Sequence, residues 1–434
     1  MTTAAQRMGL ERNLRLVSLH ALASGALFWL PTMVLYTRSV FGLGRAVMLS
    51  GIYYLFVVAL EVPSGWASDR FGRVPTLRAA ALSWIVAHGL FLVAGDSFVA
   101  FAAGQAFLAG GFAALSGTDV SFHYDSLESV DRAGEYQARQ GRVASLGYRS
   151  MAAAALIGGG LGFVDLRLPY AAALILALIQ FGVTMAMTEP VVDGALDPVH
   201  ALAGQIGDCV RYLARPLLGW IFFYGVAMVV LEHVAFTLLQ PWLTEASGAT
   251  AQAVESTPVL SGVVMAAVAA VGAVAARAVD PLARRFGIPL VLVALGVLSA
   301  GIVTTMALSF SLLVLAAIAF RSVQGAAAPV LISAAVAPRV RPNQRATFLS
   351  LNSLAGRLVW GSILLGVGGM IDEDLRLGLG VLSAIAWGFV AALIASLVLV
   401  VPRIPTSEHG FARSGSMARN SSGGESAGPG TGES

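Results

Sequence analysis

The sequence predicts an all-α membrane protein with twelve transmembrane helices in two pseudo-symmetric six-helix bundles. Of its 434 residues, 57% are hydrophobic and only 12% are charged, whereas about 25% of the residues of a soluble domain are charged. Twelve stretches have about 20 mainly apolar residues, the length that a helix needs to cross a bilayer. A polar segment in the middle of the chain separates six of these stretches from the other six.

The twelve spans follow one another with short polar or charged turns between them. They lie near residues 14–36, 46–66, 76–94, 98–124, 143–164, 168–188, 217–239, 259–279, 287–308, 312–336, 345–371 and 377–401. None of them alternates polar and apolar residues as a membrane-spanning strand does. The predicted organisation is therefore a cytoplasmic N-terminus, a first bundle, a linker, a second bundle and a tail, over residues 1–13, 14–189, 190–215, 216–403 and 404–434.

The linker and the tail differ in character. Apolar residues recur in the linker at helical spacing, which predicts an amphipathic helix on the membrane surface, at Val199, Leu202, Ile206, Val210 and Leu213. The tail is rich in Ser and Gly, a composition that predicts disorder.

The basic residues predict the orientation. All 27 of them are Arg. Twenty lie in the termini, the linker and the even-numbered turns, and only Arg38, Arg45, Arg167 and Arg376 lie in the opposite turns. Because basic residues accumulate on the cytoplasmic side, we expect a protein of the cell (inner, cytoplasmic) membrane with both termini in the cytoplasm.

Several classes of function are excluded by composition. The arginines form no basic face interleaved with aromatic residues, so nucleic acid is not an expected partner. The single Cys209 excludes an internal disulfide and a thiolate metal cluster. No phosphate-binding loop, metal spacing or catalytic constellation occurs, so we expect no cofactor and no enzymatic activity.

The strongest motif connects spans 2 and 3. It reads GWASDRFGR at residues 65–73, and a partial copy, RFG, follows span 8 at 285–287. With the twelve-span topology, the motif resembles the signature loop of the major facilitator superfamily. Further segments are similar to a bacterial drug-exporter-like branch of that family: EVPSG at 61–65, SGTD at 116–119, YDSL at 124–127 and RATFLS at 345–350. The fifth span lacks the proline that often precedes paired glycines in proton antiporters, a departure from the export pattern.

This loop is expected to act as a conformational latch. Gly65 would let two helices approach closely, and Gly72 would permit a tight reversal. The Asp69 carboxylate would cap the helix that begins near Arg345. The predicted latch residues are Gly65, Asp69, Arg70, Gly72, Arg73 and Asp125, with an Arg73–Asp125 ion pair. The alternative is a basic turn that only sets topology.

Charged residues inside the spans are candidates for proton coupling, since they are costly in a membrane. We expect Glu61, Asp119 and Arg149 to form one cluster and favour Asp119 or Glu61 as the proton site. Glu232 is the third candidate, with His233 beside it. Static structural ion pairs are the alternative reading.

The residues expected to line a central substrate cavity are Trp29, Tyr53, Tyr54, Arg321, Gln324 and Arg357. The resemblance implies alternating access and favours proton-coupled export of a small amphipathic molecule by a monomer in the lipid bilayer. Two rivals remain: a proton-coupled importer or symporter of a small metabolite, and a non-transporting membrane receptor.

Overall fold

A computed structural model describes residues 4–190, 206–207, 209–248, 251–336, 339–341 and 344–400. These residues form helices and short turns and contain no strand. The first half of the chain, residues 4–190, contains α1 (Ala4–Gly25), α2 (Met33–Phe41), α3 (Leu43–Phe71), α4 (Arg73–Val93), α5 (Phe98–Leu115), α6 (Thr118–Glu128), α7 (Tyr136–Val164) and α8 (Leu168–Met185).

The second half, residues 206–400, repeats the arrangement. Its helices are α9 (Pro216–Thr237), α10 (Leu239–Ala246), α11 (Ala251–Phe286), α12 (Ile288–Leu308), α13 (Leu315–Ala319), α14 (Arg321–Val336), α15 (Arg345–Glu373) and α16 (Leu375–Val400). The predicted linker residues Val199 and Leu202 and the tail at 404–434 lie outside the described residues.

Each predicted span coincides with one long helix or with a helix that is broken, so the all-α prediction is confirmed. Among the described segments, eleven are long and apolar enough to cross a membrane, and α7, with 29 residues, has the length of a twelfth. The breaks fall where the backbone demands them. Pro31 lies in the first turn of a short 3-10 helix, Leu30–Thr32, between α1 and α2, and Gly117 separates α5 from α6 with a φ of 76°.

The first helix is longer than predicted. It begins at Ala4, whereas apolar residues alone indicated a start near residue 14. Leu10 is buried, and the Asn13 side-chain amide donates to Ser126 Oγ at 3.2 Å and to the Thr188 carbonyl at 2.7 Å. Hydropathy detects only the membrane-crossing part of a helix, whereas packing holds these first turns in place.

Two long helix pairs join the halves. The first, α3, packs along α15, and α7 packs along α11. Glycines make the approach close: a Cβ on Gly51 would lie 3.0 Å from the Gly361 carbonyl oxygen, and one on Gly368 would lie 3.1 Å from that of Gly44. Small residues let helix backbones pack tightly in a membrane.

The end of the bundle where α1 begins and α16 ends is called the termini end here, and the other is the opposite end. At the opposite end, polar contacts hold the two halves together. The Gly44 amide donates to Asp372 Oδ1 at 2.9 Å. The Gln240 side chain accepts from the Val34 and Leu35 amides at 2.8 and 3.1 Å and donates to the Leu30 carbonyl at 2.9 Å.

Candidate functional site

An ion pair joins the two halves between α3 and α15. Arg357 Nη1 lies 2.6 Å from Glu61 Oε2. The side chains are 32% and 15% exposed, so the pair is largely removed from solvent. Each charge alone would cost about 2.5–3.5 kcal/mol at a helix centre, and pairing offsets that cost. Glu61 and Arg357, chosen from the sequence for different roles, therefore belong to one site.

Aromatic side chains extend this site toward the opposite end, about two turns along α3 from Glu61. The Tyr53 and Tyr54 rings lie 5.2 Å apart, and the Tyr54 ring meets that of His233 edge-on at 5.2 Å. His233 comes from the second half and also contacts Trp360 at 6.3 Å. Its Nδ1 lies 2.6 Å from the Val229 carbonyl oxygen, which orients the ring. The aromatic wall thus has contributions from both halves.

A second pair of charges lies in the second half. Glu232 and Arg321 are within electrostatic reach of each other, yet among the described residues neither takes part in an ion pair. The Glu232 carboxylate packs against Gly325 of α14. The Arg321 guanidinium lies 5.3 Å over the Phe236 ring, and its Nε has no hydrogen-bond partner within the described chain. Arg321 therefore retains an unused hydrogen-bond donor within the described chain.

Two predicted cavity residues occupy other places. Gln324 is buried, accepts a hydrogen bond from Ser299 and donates to the Met228 carbonyl at 3.1 Å. Its side-chain amide is therefore hydrogen-bonded within the second half. Trp29 packs inside the first half, with its ring 6.4 Å from that of His88 and 6.5 Å from that of Phe112. The Phe112 ring in turn lies 6.4 Å from that of Tyr53.

The expected cluster of Glu61, Asp119 and Arg149 does not form. Glu61 pairs with Arg357 instead. Asp119, which follows the break at Gly117, borders a small cavity inside the first half, and its Oδ1 accepts from the Val120 amide at 2.8 Å. Arg149 is exposed on α7. The prediction rested on depth along the helices, and depth does not determine the direction in which each side chain points.

The predicted ion pair joins Arg73, the first residue of α4, to Asp125 of α6, with Nε and Oδ2 3.1 Å apart. Arg73 Nη1 also donates to Ser68 Oγ at 3.0 Å. Arg73 and Asp125 belong to the same half, so this pair cannot itself hold the two halves together. The side chains of Asp69 and Arg345 lie outside the described residues, and the latch between them stays a prediction.

The structure also shows the surroundings of three other predicted loop residues and of one residue that was not predicted. Gly72 has a φ of 106°, as its predicted reversal requires. Arg70 is exposed. A Cβ on Gly65 would meet nothing within 4 Å, so this glycine does not mark a close helix contact. Glu189, which the sequence analysis missed, caps α4: its two carboxylate oxygens accept from the Arg73 and Val74 amides at 2.6 and 2.7 Å.

An apolar cavity lies beside the central ion pair on the side of the termini end. Its volume is about 220 Å³. It is bounded by α3, α9, α15 and the linker, with lining residues that include Val58, Phe222, Phe348, Leu354 and Leu358. Val58 and Leu354 of this lining lie three residues from Glu61 and Arg357, on the same faces of α3 and α15. A polar pair and an apolar surface therefore adjoin.

Membrane-spanning helices in two joined halves, with a charged and aromatic centre between them, are the architecture of a secondary transporter. A sequence profile of the Major Facilitator Superfamily matches residues 16–364, and the chain belongs to this family. It is therefore a multi-pass membrane transporter of small molecules. No curated protein matches the sequence.

Solved transporters share the fold. The nucleoside transporter NupG, in a mutant form, superposes with a TM-score of 0.73 at 14% identity, covering 90% of this chain and 99% of that one. A D-xylose-proton symporter gives 0.64 at 14% identity, covering 88% and 96%. A mutant peptide transporter POT gives 0.67 at 13% identity, covering 90% and 94%. At such identities the likeness establishes the fold and leaves the substrate open.

Proposed function

We propose that the protein exports a small amphipathic molecule in exchange for protons, by alternating access, in a cell membrane with both termini on the cytoplasmic side. The observation that carries the proposal is the Glu61–Arg357 ion pair. It crosses the boundary between two halves that must move relative to each other. Its carboxylate has two competing partners, the guanidinium and a proton.

Protonation of Glu61 would neutralise the carboxylate and release Arg357. Desolvation favours the neutral acid, whereas the neighbouring guanidinium favours the carboxylate, so the balance depends on the distance between the halves. A conformational change that separates α3 from α15 would favour proton uptake, and one that brings them together would favour proton release. This exchange gives a proton gradient a direct effect on the conformation.

The surroundings of the pair fit an amphipathic substrate. Tyr53, Tyr54 and His233 offer aromatic faces, and the apolar cavity of about 220 Å³ begins beside Arg357. When Glu61 is protonated, the freed guanidinium would attract an anionic or strongly polar group of the substrate. Arg321 and Glu232 supply further polar groups in the second half.

Export is favoured by the sequence resemblance to the drug-exporter-like branch, and proton-driven import is the second candidate. Import is favoured by the D-xylose-proton symporter that shares the fold and by the absence of the antiporter proline in the fifth span, α7. The same residues would serve both directions. The direction is therefore a matter for measurement in oriented membranes.

The test uses everted membrane vesicles energised by respiration and a dye that reports the proton gradient. Cationic, neutral and anionic amphiphiles are added in turn. We expect one class to dissipate the gradient with the wild-type protein and not with Glu61→Gln. The matched control is Glu135→Gln, the same substitution at an exposed carboxylate between α6 and α7.

The outcomes separate the candidate functions. Dissipation that persists in Glu61→Gln would overturn the coupling role of the pair. A response only in right-side-out vesicles under an inward proton gradient would replace export by import. The absence of proton-linked transport in both preparations would favour the non-transporting receptor.

A further inference from the structure

We propose that the linker between the halves forms the floor of the substrate's apolar subsite and limits the length of the apolar group that the transporter accepts. The inference rests on the proposed function and names the substrate class: an amphiphile whose apolar part is one substituted ring or a short alkyl chain. The subsite is the apolar cavity of about 220 Å³ beside the central ion pair. Its floor is the helical segment 209–213 of the linker, which contributes Cys209, Val210 and Leu213.

The cavity lies where α3 and α15 separate. Positions seven residues apart follow one face of α3, namely Gly44, Gly51, Val58 and Gly65. A Cβ on either of the first two would lie within 3.0 Å of a backbone carbonyl oxygen of α15. Val58 lines the cavity, and a Cβ on Gly65 would meet nothing within 4 Å. The gap between the two helices therefore opens toward the termini end, and the cavity occupies its beginning.

The linker is held under this gap by hydrogen bonds to the residues that precede or begin α15. The Tyr212 hydroxyl donates to Gln344 Oε1 at 2.7 Å, and the Cys209 thiol donates to the Gln344 carbonyl at 3.8 Å. Arg215 Nη1 donates to the Arg339 carbonyl at 3.2 Å. These contacts fix the floor of the cavity relative to α15, so the linker contributes a wall with a defined position.

The remaining walls define what the cavity can hold. The Phe222 and Phe348 rings lie 5.8 Å apart, and Asn352 Nδ2 donates to the Phe222 carbonyl at 2.6 Å, which holds α15 against α9. Apart from the Cys209 thiol, the described lining side chains are hydrocarbons and offer water no hydrogen-bond partner. An apolar cavity of roughly 150 Å³ binds benzene. The larger volume here fits an apolar group somewhat bigger than a benzene ring.

The polar part of such a ligand would lie at the ion pair. Val58 and Leu354 are three residues, about 4.5 Å along the helix axes, from Glu61 and Arg357 on the same helix faces. The apolar part is then confined between the ion pair and the linker. Leu213 is the largest linker side chain in the lining, so its size determines how long that apolar part can be.

The first test is whether the cavity admits a small apolar molecule. Cys209 is the only cysteine of the chain, so a thiol reagent reports entry. Benzyl methanethiosulfonate is added to the full-length protein in lipid nanodiscs; its benzylthio group is transferred to the Cys209 thiolate, and methanesulfinate leaves. We expect the mixed disulfide, measured by intact mass, to form about tenfold more slowly in Ala355→Phe, because a filled cavity excludes the reagent. Ala391→Phe, at an exposed position of α16, should react like the wild type.

The second test measures the length limit. The n-alkanols from butanol to dodecanol are compared, at equal concentrations in the bilayer, for protection of Cys209 from the reagent. We expect one chain length to protect best, and we expect this optimum to move by about two carbon atoms toward longer chains in Leu213→Ala, which enlarges the cavity. Leu377→Ala, at an exposed position of α16, should keep the wild-type optimum.

Three results would overturn the inference: labelling that is equally fast in the wild type and Ala355→Phe, labelling only after denaturation, and protection that rises with chain length without an optimum. The last result would assign the cavity to a lipid acyl chain. Val58→Phe fills the same cavity from α3 and serves if Ala355→Phe does not fold.

Neither test needs a proton gradient, so the two proposals fail separately. Protection with a length limit set by Leu213, but without proton-linked transport, would refute only the proposed function. Proton-linked transport whose chain-length preference is unchanged in Leu213→Ala would refute only this inference.

Discussion

Glu61 of α3 and Arg357 of α15 meet at 2.6 Å across the boundary between the two halves. One side of this contact has aromatic side chains, and the other has an apolar cavity. The tyrosine and apolar side chains beside the pair therefore offer no formal charge in place of either partner. A break in the contact leaves a charge that must find a proton, a substrate group or water.

The first prediction concerns the energy of this pair. Glu61→Gln and Arg357→Gln should each lower the free energy of unfolding, because each leaves one charge without its partner. The loss of unfolding free energy in the double variant should be smaller than the sum of the two single losses, by about 0.5–3 kcal/mol. Thermal or denaturant unfolding of the purified protein measures this coupling. Additive effects of the two substitutions would show that the contact contributes no interaction energy.

The second prediction concerns Gln240. Gln240→Leu removes three hydrogen bonds between the halves, each worth about 0.5–1.5 kcal/mol. The equilibrium should shift toward conformations in which the opposite end is open. Spin labels at Ser39 and Ser247, in a protein with Cys209→Ser, report the distance across that end. The distance distribution should gain a longer component.

Gln105→Leu is the matched control for this experiment, because Gln105 is buried within the first half on α5. The same change of amide to isobutyl there should leave the distance distribution as in the wild type. A distribution that is identical in wild type and Gln240→Leu would show that other contacts hold the opposite end closed.

The third prediction uses the run of glycines in α7. A Cβ on Gly159 would lie 2.6 Å from the Pro258 carbonyl oxygen of α11, whereas one on Gly160 would meet nothing within 4 Å. Gly159→Ala should therefore force α7 away from α11 and destabilise the protein by about 1–3 kcal/mol. Gly160→Ala should be neutral or stabilising by up to about 1 kcal/mol. Melting temperatures of the two variants, measured side by side, test the register of the two helices.

The fourth prediction tests whether the Arg73–Asp125 pair affects the stability of the first half or the opening of the transporter. Asp125→Asn should destabilise the first half by about 1–3 kcal/mol, because it weakens a hydrogen bond between two mainly buried side chains, Arg73 and Asp125. It should leave the distance across the opposite end unchanged, since both residues belong to one half. Glu189→Ala should cost about 0.5–2 kcal/mol through the lost helix cap. A large change of conformation in Asp125→Asn would restore the latch role to this pair.

The exposed ion pairs of Glu135 give a control for that experiment. Hydrogen bonds from the Arg132 and Arg139 guanidiniums lower the pKa of the Glu135 carboxyl to about 2. Its favourable contribution is therefore present at neutral pH and lost only as the pH falls from about 4 toward that value. Glu135→Gln should change stability much less than Asp125→Asn, because exposed pairs contribute little.

The membrane architecture was predictable because it depends on local information. A run of about 20 apolar residues identifies a span wherever it occurs, and the Arg73–Asp125 pair followed from two ends that lie on the same side of the membrane. The partner of Glu61 was not predictable. Helices that are apolar on every side give no indication of which face meets which neighbour, so the sequence placed Glu61 with Asp119, and the structure pairs it with Arg357.

The contacts at the opposite end were missed for a related reason. Gln240 stands next to Pro241 at the end of an apolar span, and a lone amide in such a position is ordinary at a membrane interface. Its role depends on the backbone groups that Pro31 leaves free on another helix, two hundred residues away in the chain. Only the folded arrangement reveals that match.

Gln240 binds the first half through main-chain atoms alone: the amides of Val34 and Leu35 and the carbonyl of Leu30. Every amino acid except proline offers the same amide, so the side chains at these three positions are free to diverge without loss of the hydrogen bonds. The same main-chain recognition limits how a change at Gln240 can be compensated. A defect caused by a change at Gln240 has no compensating side-chain substitution at its three partner positions, and genetic suppressors of such a variant should arise elsewhere in the protein.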